Sequence, residues 1–129
     1  MTPENNPKRV CSWICEMEGI RTCQFKAVSR PSYYRDVYGT LKLNNINVQI
    51  VETKDFSCDI ITRWIAEDSK HSLVIKMIDS KGSCYEKWNL NNGKIEWASF
   101  SDLSYDSTGL ANVNLGLSFE TCDYERMKE

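Results

Sequence analysis

Asn112-Val113-Asn114-Leu115-Gly116-Leu117-Ser118-Phe119-Glu120 is the stretch on which the fold turns. Val113, Leu115, Leu117 and Phe119 alternate with Asn112, Asn114, Gly116, Ser118 and Glu120. A period of two puts the oily side chains on one face of a strand and the small polar ones on the other. The whole segment from Leu110 to Cys122 reads as one long closing strand.

The same period recurs upstream. His71–Asp79, Cys84–Leu90 and Lys94–Phe100 read as strands, with Ser80-Lys81-Gly82 and Asn91-Asn92-Gly93 as the turns between them. Ile46–Glu52 is a further strand, with Ile46, Val48 and Ile50 inward. At the N-terminal end Cys11, Trp13, Cys15 and Met17 share one face of Val10–Met17, and Cys23, Phe25 and Ala27 share one face of Arg21–Val28. Glu18-Gly19-Ile20 between them predicts a β-hairpin. One helix interrupts the pattern: Phe56, Ile60, Ile61, Trp64 and Ile65 recur at helical spacing over about Asp55 to Asp68, with Asp55 as cap. Its stripe is suited to packing on a sheet. Between the second and third strands, Ser29–Asn45 holds Pro31, Gly39, Tyr33, Tyr34 and Tyr38 without a period. A loop of that length in a small domain is a contact element, and exposed tyrosines suit an interface.

With 129 residues the chain is expected to form one domain, residues 1–8 being a flexible start. Its composition is 41% hydrophobic and 26% charged with a formal net charge of −2, that of an ordinary globular protein. A slightly acidic chain lacks the clustered cations that grip phosphates. No apolar run approaches the roughly 20 residues of a membrane span, so no membrane insertion is expected. The opening Met1-Thr2-Pro3-Glu4-Asn5-Asn6-Pro7 lacks the features of a signal peptide, so secretory export is not expected.

The search for chemistry finds little. His71 is the single histidine and has no cysteine or carboxylate beside it at ligand or triad spacing. No phosphate-binding, nucleophile-elbow or zinc-protease motif occurs. Trp88, Trp97 and Phe100 lie among Asn, Glu and Ser rather than bases, which favours packing or subunit contact over stacking of nucleobases. The chain is therefore expected to be no enzyme and to need no cofactor or metal.

Taken in order, a β-hairpin, a long loop, a strand, one helix and a β-rich C-terminal half carry three segments together. They are Tyr85-Glu86-Lys87-Trp88-Asn89-Leu90, Asp102-Leu103-Ser104-Tyr105-Asp106-Ser107 and Val113 to Glu120. Over roughly residues 9 to 125 this arrangement resembles the tail tube proteins of contractile-tailed bacteriophages, which are related to the tubes of contractile injection systems and the type VI secretion needle. Trp88 with Leu90, Asp102 with Leu103, and Val113 through Phe119 match its segments in turn. The resemblance implies a mainly β protein, an antiparallel β-sandwich or barrel with one flanking α-helix. It further implies hexameric rings stacked into a virion tail tube, made in the host cytoplasm and contacting sheath and baseplate proteins. Genomic DNA would pass through the lumen during ejection without specific binding. Strands with one polar face of Asn, Ser, Gly and Gln suit such a wall, and pairing sheets between subunits removes exposed edges. Asn112, Asn114, Ser118 and Glu120 are the first candidates for the lumen and Asn47 and Gln49 the second; Tyr33, Tyr34 and Tyr38 are candidates for contacts between rings. The inner tube of another contractile injection system is the nearest alternative.

The cysteines, Cys11, Cys15, Cys23, Cys58, Cys84 and Cys122, are many for a chain without a signal peptide. They motivate a second reading, a disulfide-rich extracellular binding module; a small hydrolase would need a carboxylate pair that the sequence does not reveal. Cys11 and Cys15 sit roughly 13 Å apart along a strand, too far to bond to each other. A three-residue turn would set Cys15 opposite Cys23, whereas a two-residue turn would not. Cys11, Cys84 and Cys122, near element ends, are expected to supply at least one bond between subunits.

Overall fold

The computed structural model describes residues 12–53, 58–105 and 109–127. The expected flexible start at residues 1–8, Cys11, the helix cap Asp55 and the apolar Phe56 lie outside them.

In chain order the elements are β1 (Trp13–Glu16), a 3-10 turn (Thr22–Gln24), β2 (Phe25–Val28), β3 (Tyr33–Arg35), β4 (Leu41–Leu43), β5 (Ile46–Val51), α1 (Cys58–Glu67), β6 (His71–Ile78), β7 (Cys84–Phe100), β8 (Asn112–Ser118) and β9 (Thr121–Arg126). Seven strands form one sheet in the order β1-β6-β7-β8-β5-β2, with β9 also on β7, and all pairs are antiparallel. The sheet doubles over at β7. The first half of that strand pairs with β6 and β9, and the second half with β8. The inward faces of both layers meet in one core that includes Cys15, Leu73, Ile75 and Leu90 from one side and Ile46, Ile50, Val113 and Leu115 from the other. Burying each such Leu, Ile or Val contributes about 1.5–3 kcal/mol. The architecture is the expected β-sandwich with one helix.

The alternation in β5 and β8 reads as expected: Ile46, Val48 and Ile50, and Val113, Leu115 and Leu117, are all buried. Helix α1 buries Ile61 completely and Trp64 in part, while Ile65 at the edge of the stripe stays half-exposed.

Four expectations are corrected. The N-terminal segments do not pair with each other: β1 pairs with β6 and β2 with β5, in different layers, and only a Met17–Ile20 bridge closes the turn between them. Trp64 packs within 3.5 Å of where a side chain on Gly19 would begin, so the corner is shaped by the helix rather than by a hairpin register. Gln24 holds the second side of this corner: its Oε1 accepts from the Arg21 N–H at 3.1 Å, and its Nε2 donates to the Val51 carbonyl at 3.4 Å.

Asn91-Asn92-Gly93 does not turn the chain back; β7 runs through it. Asn92 adopts φ 56° and Gly93 lies so close to Phe119 that an added Cβ would sit 2.2 Å from its ring. The pair bends one strand from the first layer into the second. The closing strand divides in the same place: β8 ends at Ser118 and β9 begins at Thr121, with the Glu120 N–H donating to the Asn91 carbonyl at 3.0 Å. Finally, Ser29–Asn45 is no irregular loop but a two-stranded arm of β3 and β4, paired Tyr33 to Leu43 and Arg35 to Leu41.

Candidate assembly and channel surfaces

The outward face of the second layer can be read row by row from its register. Ala27 on β2, Gln49 on β5, Asn114 on β8 and Ser99 on β7 form one row across the layer. Asn47, Gly116 and Trp97 form the next. Four of the candidates named from sequence, Asn47, Gln49, Asn114 and Ser118, thus share one broad face, and its amides and hydroxyls bear no charge. Charge enters at the Ser118 end, where Glu96 accepts from Ser118 Oγ at 2.5 Å and Lys94 lies opposite Ser118 in the register.

Asn112, opposite Val51 in the register, is a fifth at the far end of this face, whereas Glu120 lies beyond β8. The Asn112 side chain donates to the Leu110 carbonyl at 3.2 Å and its N–H to Ser101 Oγ at 3.0 Å, so it ties down the β7–β8 connection. Glu120 lies past the bend, ion-paired with Lys70 at 2.8 Å and accepting from Asn92 Nδ2 at 3.0 Å. Lys70 holds its carboxyl below the ordinary carboxylate range, and Glu120 in turn raises the Lys70 ammonium.

Trp97 is the member of this face that alternation conceals. Strict period two would set it on the same side as Ile95, but the register shifts between them, so that Ile95 opposes buried Leu117 and Trp97 opposes Gly116. A Cβ on Gly116 would lie 2.0 Å from the indole nitrogen, so glycine is what lets the ring approach the strand there. An irregular spacing of apolar residues in Lys94–Phe100 was the available signal.

The arm carries the three tyrosines as expected, with Tyr33 and Tyr34 about half-exposed and Tyr38 90% exposed. It is stiff. Asp36 Oδ1 accepts from the N–H groups of Tyr38 and Thr40 at 2.9 and 3.0 Å, Gly39 takes φ 78°, and Arg35 donates to the Gly39 carbonyl at 2.9 Å. Its base is anchored by Leu43 against the core and by the Arg30 guanidinium 6.0 Å over the Trp88 ring. Trp88 in turn lies beside Tyr124, whose hydroxyl donates to the buried Glu86 carboxylate.

The thiols divide by environment. Cys15 is fully buried, and desolvation, helped by Glu16, pushes it up to about 12. It faces Ile75, not Cys23, which sits exposed in the 3-10 turn, so the cross-strand pair considered from spacing does not exist. Cys84 is half-buried and donates to the Glu86 carbonyl at 3.3 Å; Cys122 is half-buried near Tyr33, and burial raises its pKa. Cys15, Cys23, Cys84 and Cys122 are all free thiols in this chain.

Neither a protein-family model nor a curated protein matches the sequence. Solved structures do match in shape. A chain of the PVC sheath–tube complex of an extracellular contractile injection system, in its extended state, superimposes with a TM-score of 0.72 at 16% identity, covering 98% of this chain and 99% of that one. This is the tail-tube fold. A chain of the anti-feeding prophage cap, which terminates its tube, shares the tail-tube fold with a TM-score of 0.71 at 15% identity over 95% and 93% of the two chains. Hcp1 from Flavobacterium johnsoniae follows with a TM-score of 0.64 at 10% identity over 89% and 95%. Shape is thus retained across these chains at 10–16% sequence identity.

Proposed function

We propose that this protein is the structural protomer of the inner tube of a contractile injection machine, assembled as hexameric rings stacked end to end within a sheath and above a baseplate. The observation that carries the reading is the superposition of essentially the whole chain on the tail-tube fold, with 98% of this chain covered. Physical features of the chain support it. The uncharged face of Asn47, Gln49, Asn114 and Ser99 is suited to a wall past which a long cargo slides, because a wall without clustered cations forms no chain of phosphate contacts. In a phage tail that cargo is the genome, and the protein is then a virion component. Unpaired edges of β2 and of the second half of β7 offer the hydrogen-bonding groups by which neighbouring sheets join around a ring.

Cys15, Cys23, Cys84 and Cys122 are free thiols and lend no support to the alternative of a disulfide-rich binding module. Electron microscopy of the purified protein tests the tube reading. Rings with six-fold end views, or tubes built of them, are expected across a range of protein concentrations. A population that stays monomeric at every concentration, with native circular dichroism, overturns it.

A further inference from the structure

Asn92-Gly93 is the one Asn-Gly step in the chain. Asparagine is a thermally labile residue, and a following glycine, having no side chain, leaves its backbone nitrogen open to approach. Both residues sit where β7 passes from the first layer into the second. His71 of β6 faces Gly93 and Leu73 faces Leu90, so Asn91 and Asn92 together stand against Ser72. That is a β-bulge. Asn91 is its tied half, paired with Thr121 on β9 and donating from Nδ2 to Thr121 Oγ1 at 3.0 Å and to Asp123 Oδ2 at 3.1 Å. Asn92 enters none of the registers with β6, β8 or β9, is exposed, and holds φ 56°.

What the Asn92 side chain touches is a carboxylate. Its Nδ2 donates to Glu120 Oε2 at 3.0 Å, while Glu120 Oε1 takes the Lys70 ammonium at 2.8 Å. Lys94 acts on the same carboxylate from its own pair with Asp68, 3.1 Å away. These cations hold Glu120 in its ionised form at neutral pH. An amide satisfies that carboxylate, whereas a second carboxylate in the same place repels it.

We infer that Asn92 is a site of spontaneous deamidation through attack by the Gly93 backbone nitrogen, and that the product loosens the bend between the two layers. The Gly93 nitrogen bonds to Asn92 Cγ as the Cγ–Nδ2 bond breaks. The proton of the Gly93 N–H, passed through solvent, leaves with the amide nitrogen as ammonia. Water then opens the cyclic imide at either carbonyl, giving aspartate or isoaspartate at position 92. Water is the co-reactant, and nothing is oxidised or reduced. Each conversion replaces the donor facing Glu120 by a negative charge, and isoaspartate also lengthens the main chain by a methylene group inside the bend. Phe119 packs on Gly93 in the same corner, so a displaced main chain there disturbs the core. The reaction belongs to the single chain and requires neither a ring nor a tube.

The test incubates folded wild-type protein at mildly alkaline pH, below its melting temperature, and digests samples with trypsin under mildly acidic conditions that halt the reaction. Cleavage after Lys87 and Lys94 releases Trp88–Lys94, in which Asn89, Asn91 and Asn92 are compared within one peptide. Fragment masses are expected to place the exchange of amide for carboxyl on residue 92 several-fold ahead of Asn91, with isoaspartate among the products. Folded protein that keeps Asn92 intact while the urea-unfolded chain converts, or equal conversion of Asn91, overturns the inference. Asn92→Asp reproduces the aspartate product. It is expected to melt below the wild type at neutral pH, and the gap to narrow when both proteins also carry Glu120→Gln, as a double-mutant cycle reads it. A variant as stable as the wild type, or a gap that Glu120→Gln leaves unchanged, overturns the loosening by like charge.

Discussion

Gly93 and Gly116 meet large rings, yet they differ in what a methyl group would cost. At Gly93 the obstacle is Phe119, itself buried in the core, with no room to retreat. At Gly116 it is the indole of Trp97, which is 45% exposed and free to swing outward. Gly93→Ala is therefore expected to destabilise the fold by about 1–3 kcal/mol, the usual range for overpacking, and Gly116→Ala by less. Chemical denaturation of the two variants measures the difference; equal losses would mean that Trp97 is as firmly held as Phe119. The thiols differ just as sharply. A thiol pushed up to about 12 by burial presents no thiolate at neutral pH. Alkylation of the native protein is expected to mark exposed Cys23 and to spare Cys15 until denaturant is added, as read by peptide mass mapping; prompt labelling of Cys15 would contradict its burial.

Besides Ile61 in the core, helix α1 meets the sheet in an aromatic contact that responds to pH. The Trp64 and His71 rings lie 3.9 Å apart between centroids, and Ser69 Oγ sits 2.8 Å from His71 Nε2. Burial lowers the His71 pKa from its ordinary 6.5, with the Glu18 and Glu67 carboxylates opposing that shift. Just below the ordinary value the unfolded chain then binds more protons than the folded one, so stability falls as pH falls. The contribution is complete above about pH 6.5 and diminishes as pH drops toward the lower folded value. His71→Phe keeps a ring on Trp64 without a titrating group. Its melting temperature is expected to decline less than that of the wild type between about pH 7 and 5.5, the interval in which an ordinary histidine titrates. Parallel pH profiles for the two proteins would remove His71 from the account.

For the assembled molecule, the decisive property is which way the uncharged face points. Lysine at Asn47, Gln49 and Asn114 places cations on three sites of that face, none of them in the core. If the face lines the channel, tubes of the triple variant are expected to take up short single-stranded DNA that resists added nuclease, with retention falling steeply as salt rises. Wild-type tubes are expected to retain little. DNA that binds the variant but is fully digested would put those lysines on the outside of the tube.

Period-two alternation in Ile46–Val51 and Val113–Leu117 determined which side chains enter the core, because each strand buries one face and a hydrophobic side chain on the other would stay wet. It also placed Asn47, Gln49 and Asn114 together on the opposite face. Helical spacing from Ile60 to Trp64 likewise marked the helix, and Tyr33, Tyr34 and Tyr38 marked the arm. Partner choice was beyond local sequence. Whether β1 meets β2 or β6 depends on contacts made more than fifty residues away, and nothing between Cys11 and Val28 encodes them. Asn91-Asn92-Gly93 has the composition of a turn, yet it becomes a bend because Phe119 fills the space above Gly93 and β6 and β9 continue the pairing on the near side. Trp97 reached the polar face through a one-residue bulge, which reverses every later side chain on the strand, and only the neighbouring register on β8 decides where such a bulge falls.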